Sequence, residues 1–209
     1  MGQKVHPIGF RIGSFYNWDS RWVAQKGYSK FLVQDIKIRK VLMEKLRPAG
    51  VAKVEIERLL NKLVLKIHVA RPGVVIGRGG QGLEELKKFV MSTLDIKEKA
   101  NVDVRVEEVR NPDLSAYLVA TYAAEQLVKR MPSRRVSHQA VDRVMRAGAK
   151  GVRILLSGRI GGAEIARKEQ VKTGSIPLHT LRANIDFAKV DALTKSGFIG
   201  IKVWINRGE

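Results

Sequence analysis

The chain has 209 residues, 44% of them hydrophobic, and carries 39 Lys and Arg against 20 Asp and Glu, a formal net charge of +19. That length and apolar content suffice for one large or two small folded domains, and the charge points to a polyanionic partner. With no cysteine there is no disulfide framework, zinc knuckle or thiol catalysis, and no apolar run has the length of a membrane span or signal peptide, so the expectation is a cytoplasmic protein with no membrane partner.

The first 27 residues mix aromatics (Phe10, Phe15, Tyr16, Trp18, Trp22) with Lys and Arg and show no sustained period. They read as an irregular arm whose aromatics either pin it to a core or touch RNA. From about Ser29, the residues Leu32, Val33, Ile36, Val41, Leu42 and Leu46 recur at helical spacing until Pro48-Ala49-Gly50 breaks the pattern. Val51 to Leu59 and Leu63 to Ala70 alternate as two strands, with Asn61-Lys62 as the tight turn of a hairpin. A short helix leads into the glycine-rich stretch VVIGRGGQGLEEL, Val74 to Leu86, after which Leu83, Leu86, Phe89, Val90 and Leu94 mark one face of another helix. A valine-rich strand, Val102 to Val109, follows.

Beyond Asn111-Pro112, a turn dipeptide, a helix runs from Leu114 to Arg130, and Pro132 opens a further one over Ser133 to Ala147. At 100° per residue this last helix puts Val136, Ala140, Val141, Val144 and Ala147 on one side and Arg135, Arg143, Arg146 and Lys150 on another. The remainder carries strand-like runs at Val152 to Ser157, Ala163 to Val171, Leu181 to Phe187 and Phe198 to Ile205. Strands grouped after helices predict a second α+β unit.

The glycine stretch admits two chemistries. Gly77, Gly79 and Gly82 spell G-x-G-x-x-G, the dinucleotide loop, while Ile76, Gly77, Gly80 and Leu83 spell I-G-x-x-G-x-x-L, the loop with which a KH domain clamps single-stranded nucleic acid. Context separates them. A dinucleotide fold wants the first glycine directly after a strand and alternating strands and helices thereafter, whereas here Pro72-Gly73 intervenes. The order helix, strand, strand, short helix, loop, helix, strand is that of a prokaryotic-type KH fold. In it Gly77, Arg78, Gly79 and Gly80 would approach a phosphate, Lys87 and Lys88 would add charge nearby, and Ile76 and Leu83 would anchor the flanking helices. A plain helix–helix turn is the bland reading of the same residues.

The blocks MGQKVHPIGFRIG, ARPGVVIGRGG, GAKGVRILLSGRIGGAEIAR, PLHTLRANIDF and GFIGIKVWI, in that order, resemble the ribosomal protein S-three family, the KH-domain proteins of the bacterial small-subunit head, over essentially the whole chain. The resemblance implies a type II KH domain over residues 28–111, after the arm of residues 1–27, and a C-terminal α+β domain with a mostly antiparallel sheet over residues 112–209. It implies binding to small-subunit rRNA, to incoming mRNA at the entry channel and to neighbouring ribosomal proteins of the head, without catalysis, cofactor, metal or small-molecule substrate. By the same resemblance Arg134, Arg135 and His138 face mRNA, the last where relatives commonly have lysine, and Gln170 stands where they often have tryptophan. Lys4, Arg11, Arg143, Arg146, Arg159, Arg167, Lys168 and Arg182 are the expected rRNA contacts, and Arg153 and Lys172 of the C-terminal unit are further candidates for phosphate contact.

Two rival classes are an RNA-remodelling KH protein acting off the ribosome and an enzyme. The sequence has no G-x-S-x-G and no G-x-x-x-x-G-K-[ST]. Without a nucleotide-binding motif, any opening of mRNA structure is expected to be passive, by capture of the unpaired strand.

Overall fold

The computed structural model describes residues 4–24, 26–59, 62–93 and 101–208. They fall into two units, one formed by Trp18–Arg110 and the other by Met1–Asn17 together with Asn111–Glu209.

In the first unit, α2 (Tyr28–Lys45) precedes the antiparallel pair β2 (Val51–Arg58) and β3 (Lys62–Val69). Then come α3 (Pro72–Ile76), α4 (Gln81–Thr93) and β4 (Asn101–Glu108), which lies parallel to β3. The two-residue β1 (Ser20–Arg21) adds a parallel edge to β2, giving the order β1-β2-β3-β4. Alternation decides the layers: Val54, Ile56, Leu65, Ile67 and Val104 share the face covered by Ile38 and Leu42 of α2, Val75 of α3 and Leu86 and Val90 of α4. This is the expected KH order. Asn61 of the expected hairpin turn and Leu94 of the expected helix face lie outside the described residues.

Two expectations need correction here. The stripe read as the core face of α2 is half wrong: Leu32, Val33 and Ile36 are exposed, and the buried side carries Asp35, Ile38 and Leu42. The helix is apolar on two sides, so periodicity alone picks the wrong one, and a buried ion pair fixes the rotation. Asp35 accepts hydrogen bonds from Arg58 Nε (2.8 Å) and Nη2 (2.6 Å) and from Trp22 Nε1 (2.7 Å). The second correction concerns the anchors of the glycine loop. Leu83 packs on the core, but Ile76 is exposed and Val75 takes its place, because a five-residue helix ending at the loop turns only one side inward.

In the second unit, α5 (Ala116–Val128) and α6 (Ser133–Arg146) pack on one face of a sheet built from β5 (Gly151–Gly158), β6 (Arg167–Gly174), β7 (Ile185–Thr194) and β8 (Gly197–Asn206). The order is β6-β5-β8-β7 and every pairing is antiparallel. Pro132 caps α6 and Gly148 ends it at φ 93°, as the punctuation predicts. Two strand ranges shift. Residues 163–166 precede β6, held by the glycine turn at Ile160–Gly162, and residues 181–184 belong to a loop, so β7 starts at Ile185 and runs on to Thr194.

The segment read as an irregular arm contains a short helix, α1 (Pro7–Phe10), capped by His6 Nδ1 accepting from Gly9 N at 3.3 Å. Tyr16 donates to Asn184 Oδ1 (2.9 Å), and burial, aided by the Asp186 carboxylate, pushes the phenol up to about 12. His6 stacks edge-on against Phe187.

Candidate nucleic-acid interface

The glycine loop is shaped by two separate demands. Gly77, Gly79 and Gly80 hold φ of 69°, 61° and 83°, a left-handed region that residues with a Cβ enter at a cost of ~1–2 kcal/mol each. Around Gly79 and Gly80 nothing lies where a Cβ would sit, so backbone conformation alone selects glycine there. Gly82 has the opposite reason: a Cβ would fall 2.4 Å from Val75 O, so α3 and α4 approach as closely as their backbones allow. The result is an exposed turn with Arg78 at its tip and Lys88, also exposed, on the following helix, while Lys87 is half-buried. Among the described residues none of these three makes an ion pair, so their charge is directed to solvent.

The helix α6 builds a second basic surface. Val136, Ser137, Ala140, Val141 and Val144 are buried, which turns Arg134, Arg135, His138, Arg143 and Arg146 outward. Arg135, His138, Gln139, Asp142, Arg143 and Arg146 line one shallow groove along the helix. Arg143 is held in place, with Nη2 2.7 Å from Asp113 Oδ1 and its guanidinium 4.6 Å from the Tyr122 ring centroid. Arg134, Arg135 and Arg146 make no ion pair among the described residues.

The other expected rRNA contacts divide by their local bonds. Lys4, Arg167, Lys168 and Arg182 are exposed. Arg159 spends Nε on Ala163 O (2.9 Å) and Nη1 on Ser196 O (3.3 Å), bracing the Gly161-Gly162 turn. Arg11 is a correction. It is fully buried, and its guanidinium donates to the carbonyls of Pro7, Leu178, Thr180 and Ala183 at 2.7–3.1 Å, which leaves it inside the protein and off any RNA surface. Burial also lowers its pKa from the ordinary value. The sequence marked it as one more arginine in a basic arm; apart from Pro7, its carbonyl partners Leu178, Thr180 and Ala183 are some 170 positions away and have no local signature.

By contrast, the outer face of the β1-β2-β3-β4 sheet is neutralised within itself. Arg21 pairs with Glu55 and Glu57, Lys53 with Asp19 and Glu55, and Lys66 with Glu57, at 2.8–3.3 Å. Burial alone would raise the Glu55 carboxyl, but the hydrogen bond from Lys53 and the charges of Lys53, His68 and Arg21 hold it below the usual range. Lys53 is raised in turn, its hydrogen bonds to Glu55 and Asp19 outweighing the lowering by burial.

Residues 37–114 match the family model of the KH domain, and residues 123–205 that of the ribosomal protein S3 C-terminal domain. The chain's relatives include proteins named small ribosomal subunit protein uS3. That of Syntrophomonas wolfei is 50% identical across all of this chain and 90% of its own length, that of Lactobacillus delbrueckii 51% across all and 92%, and that of Lysinibacillus sphaericus 50% across all and 94%.

Proposed function

The chain belongs to the uS3 family of small ribosomal subunit proteins, a structural and non-enzymatic component, and from that premise we propose that it binds rRNA in the subunit head, beside neighbouring head proteins, while the α6 face lines the path of incoming mRNA. The observation that carries this reading is the sidedness of α6: its valines and Ala140 are buried, and Arg134, Arg135 and His138 stand together on the solvent side. Guanidinium groups bind phosphates in charge-assisted pairs that position a strand without reading its sequence. A protein that meets every message needs such contacts.

The action on structured mRNA is passive. Contacts with an unpaired strand shift the pairing equilibrium toward the open form by mass action, and the translocating ribosome supplies the work. The glycine loop, with Arg78 at its tip and Lys87 and Lys88 behind it, acts as the KH clamp on an RNA backbone. Domains over residues 28–111 and 112–209, with a preceding arm, remain the proposed division of labour.

The test replaces Arg134 and Arg135 with Ala and compares translation through structured and unstructured messages. Slowing confined to structured messages is expected. Equal slowing on both would sink the mRNA role and point to defective assembly.

A further inference from the structure

Arg134 and Arg135 stand where a helix tolerates cations least. Ser133, Arg134 and Arg135 are the first three residues of α6, and their N–H groups have no acceptor one turn back inside the helix. The aligned peptide dipoles place partial positive charge at this end, so a carboxylate is favoured there and a guanidinium is not. No local residue compensates. The N-cap is Pro132, which has no side-chain oxygen, and the first turn holds no acid. Left to itself, this turn would fray and carry both arginines with it.

The carboxylate comes instead from the sheet. Glu169 of β6 is the register partner of Leu156 of β5, which is 1% exposed in the core beneath α5 and α6, so Glu169 lies on the helix-covered face. Val171, two residues on, packs on that same core. Glu169 is half-buried, and its Oε2 accepts from Ser133 Oγ at 2.7 Å, the short distance of a hydroxyl bonded to an ionised carboxylate. Among the described residues Glu169 makes no ion pair, and neither does Arg134 or Arg135. The carboxylate therefore grips the serine and leaves both guanidinium groups open to another anion. Successive helical residues are turned by about 100°, so holding Ser133 against the sheet directs Arg134 and Arg135 away from it.

We propose that Glu169 is a positioning residue for the mRNA contact: through the Ser133 hydroxyl it fastens the first turn of α6 to β6 and so fixes where Arg134 and Arg135 meet the strand. The proposal rests on the reading of α6 as the mRNA face and deepens it. Farther along the helix, Arg143 is braced by Asp113 and the Tyr122 ring, so α6 has a second fixed point toward its other end. Passive capture of an unpaired strand depends on cations already in place, because ordering them at each encounter would subtract from the free energy of binding.

The experiment has two arms. Hydrogen exchange of the full-length protein follows the Val136 and Ser137 amides, which close the first turn; Val136 N donates to Pro132 O at 3.0 Å. Ser133→Ala and Glu169→Ala should each speed that exchange about tenfold, the effect of one lost hydrogen bond to a charged group, while Ser133→Thr, which keeps the hydroxyl, should match wild type. Small subunits reconstituted with the same proteins are then tested on structured and unstructured messages. Ser133→Ala and Glu169→Ala should each lose part of the rate on structured messages that Arg134→Ala/Arg135→Ala loses, and none on unstructured ones. Added to the arginine double variant, Glu169→Ala should cost nothing more, since residues that act through one another are not additive. Equal slowing on both kinds of message, a further loss in the arginine background, or unchanged exchange at Val136 overturns the proposal. So does a wild-type rate for Glu169→Ala while the arginine double variant is slow. If the arginine double variant itself does not single out structured messages, the reading of α6 falls first and the proposal goes with it.

Discussion

Replacing Asp35 with Ala should destabilise the first unit by several kcal/mol, far more than a typical change on a helix surface. The carboxylate is 1% exposed and takes two bonds from Arg58 and one from the Trp22 indole, so its removal leaves a partly buried guanidinium without its counter-ion and an indole N–H without an acceptor. Breaking a buried ion pair from one side costs ~3–5 kcal/mol, and a stranded neutral donor ~1–3 kcal/mol. The contributions share one site and are not additive, so about 4 kcal/mol is the expectation. With a urea dependence of ~1–3 kcal/mol per molar, the midpoint should fall by at least 1 M. Urea unfolding followed by tryptophan fluorescence reads this, with hydrogen exchange of the α2 and β2 amides assigning the loss to this unit. In a cycle with Arg58→Ala, the double variant should cost much less than the sum of the singles. A loss below ~1 kcal/mol, or additive singles, would refute the view that this pair sets the rotation of α2.

Gly82→Ala should cost more stability than Gly79→Ala, because the first meets the Val75 carbonyl at 2.4 Å whereas the second meets only an unfavourable φ of 61°; equal melting shifts would contradict this. Replacing Arg78 and Gly79 with Asp should leave the fold intact and weaken RNA binding at moderate salt, and unchanged affinity would mean that the loop is only a turn. Arg11→Lys should fail to rescue what Arg11→Ala loses, since a point-like ammonium cannot reach the carbonyls of Leu178, Thr180 and Ala183 together; hydrogen exchange over residues 177–184 is the readout. For pH, a carboxyl held below its unfolded value stabilises above that value and loses the contribution as pH falls through the folded one. The urea midpoint of the first unit should therefore drop more steeply below about pH 4.5 in wild type than in Glu55→Gln, and parallel curves would count against the Glu55 network.

Most of the fold was legible in the sequence where punctuation and period agree. Pro132 and Gly148 bracket α6 so firmly that its expected and observed limits differ by one residue, and β2 and β3 also fall within one residue of their expected limits, although β2 bulges after Val51 and β3 buries Leu63, Val64 and Leu65 in succession. Failure came where the deciding contact is distant. Leu32 and Ile36 look like core until Asp35 meets Arg58 from the neighbouring sheet, and a charged residue on a helix gives no warning that it will be buried. Leu181 looks like a strand residue until Arg11 binds the carbonyls around it and fixes that segment as a loop. The exposed cations of α6 were readable because helical period sorts them within a few residues. The carboxylate of Glu169 reaches the first turn of that helix only through the pairing of β6 with β5, which no local pattern encodes.

The same distinction separates two uses of positive charge in this chain. Arg11, Arg58 and Arg159 have their guanidinium groups occupied by protein oxygens and hold loops and helices in place. Among the described residues, Arg78, Arg134, Arg135, Lys172 and Lys202 have no such partner. A net charge of +19 would repel itself within a compact chain, and pairing the cations of the first sheet while leaving Arg78 of the glycine loop and Arg134, Arg135 and Arg146 of α6 without ion pairs among the described residues concentrates that repulsion where a polyanion can relieve it. On the proposed reading, binding and stability are coupled: RNA that neutralises the glycine loop and α6 stabilises the fold by the free energy of its binding.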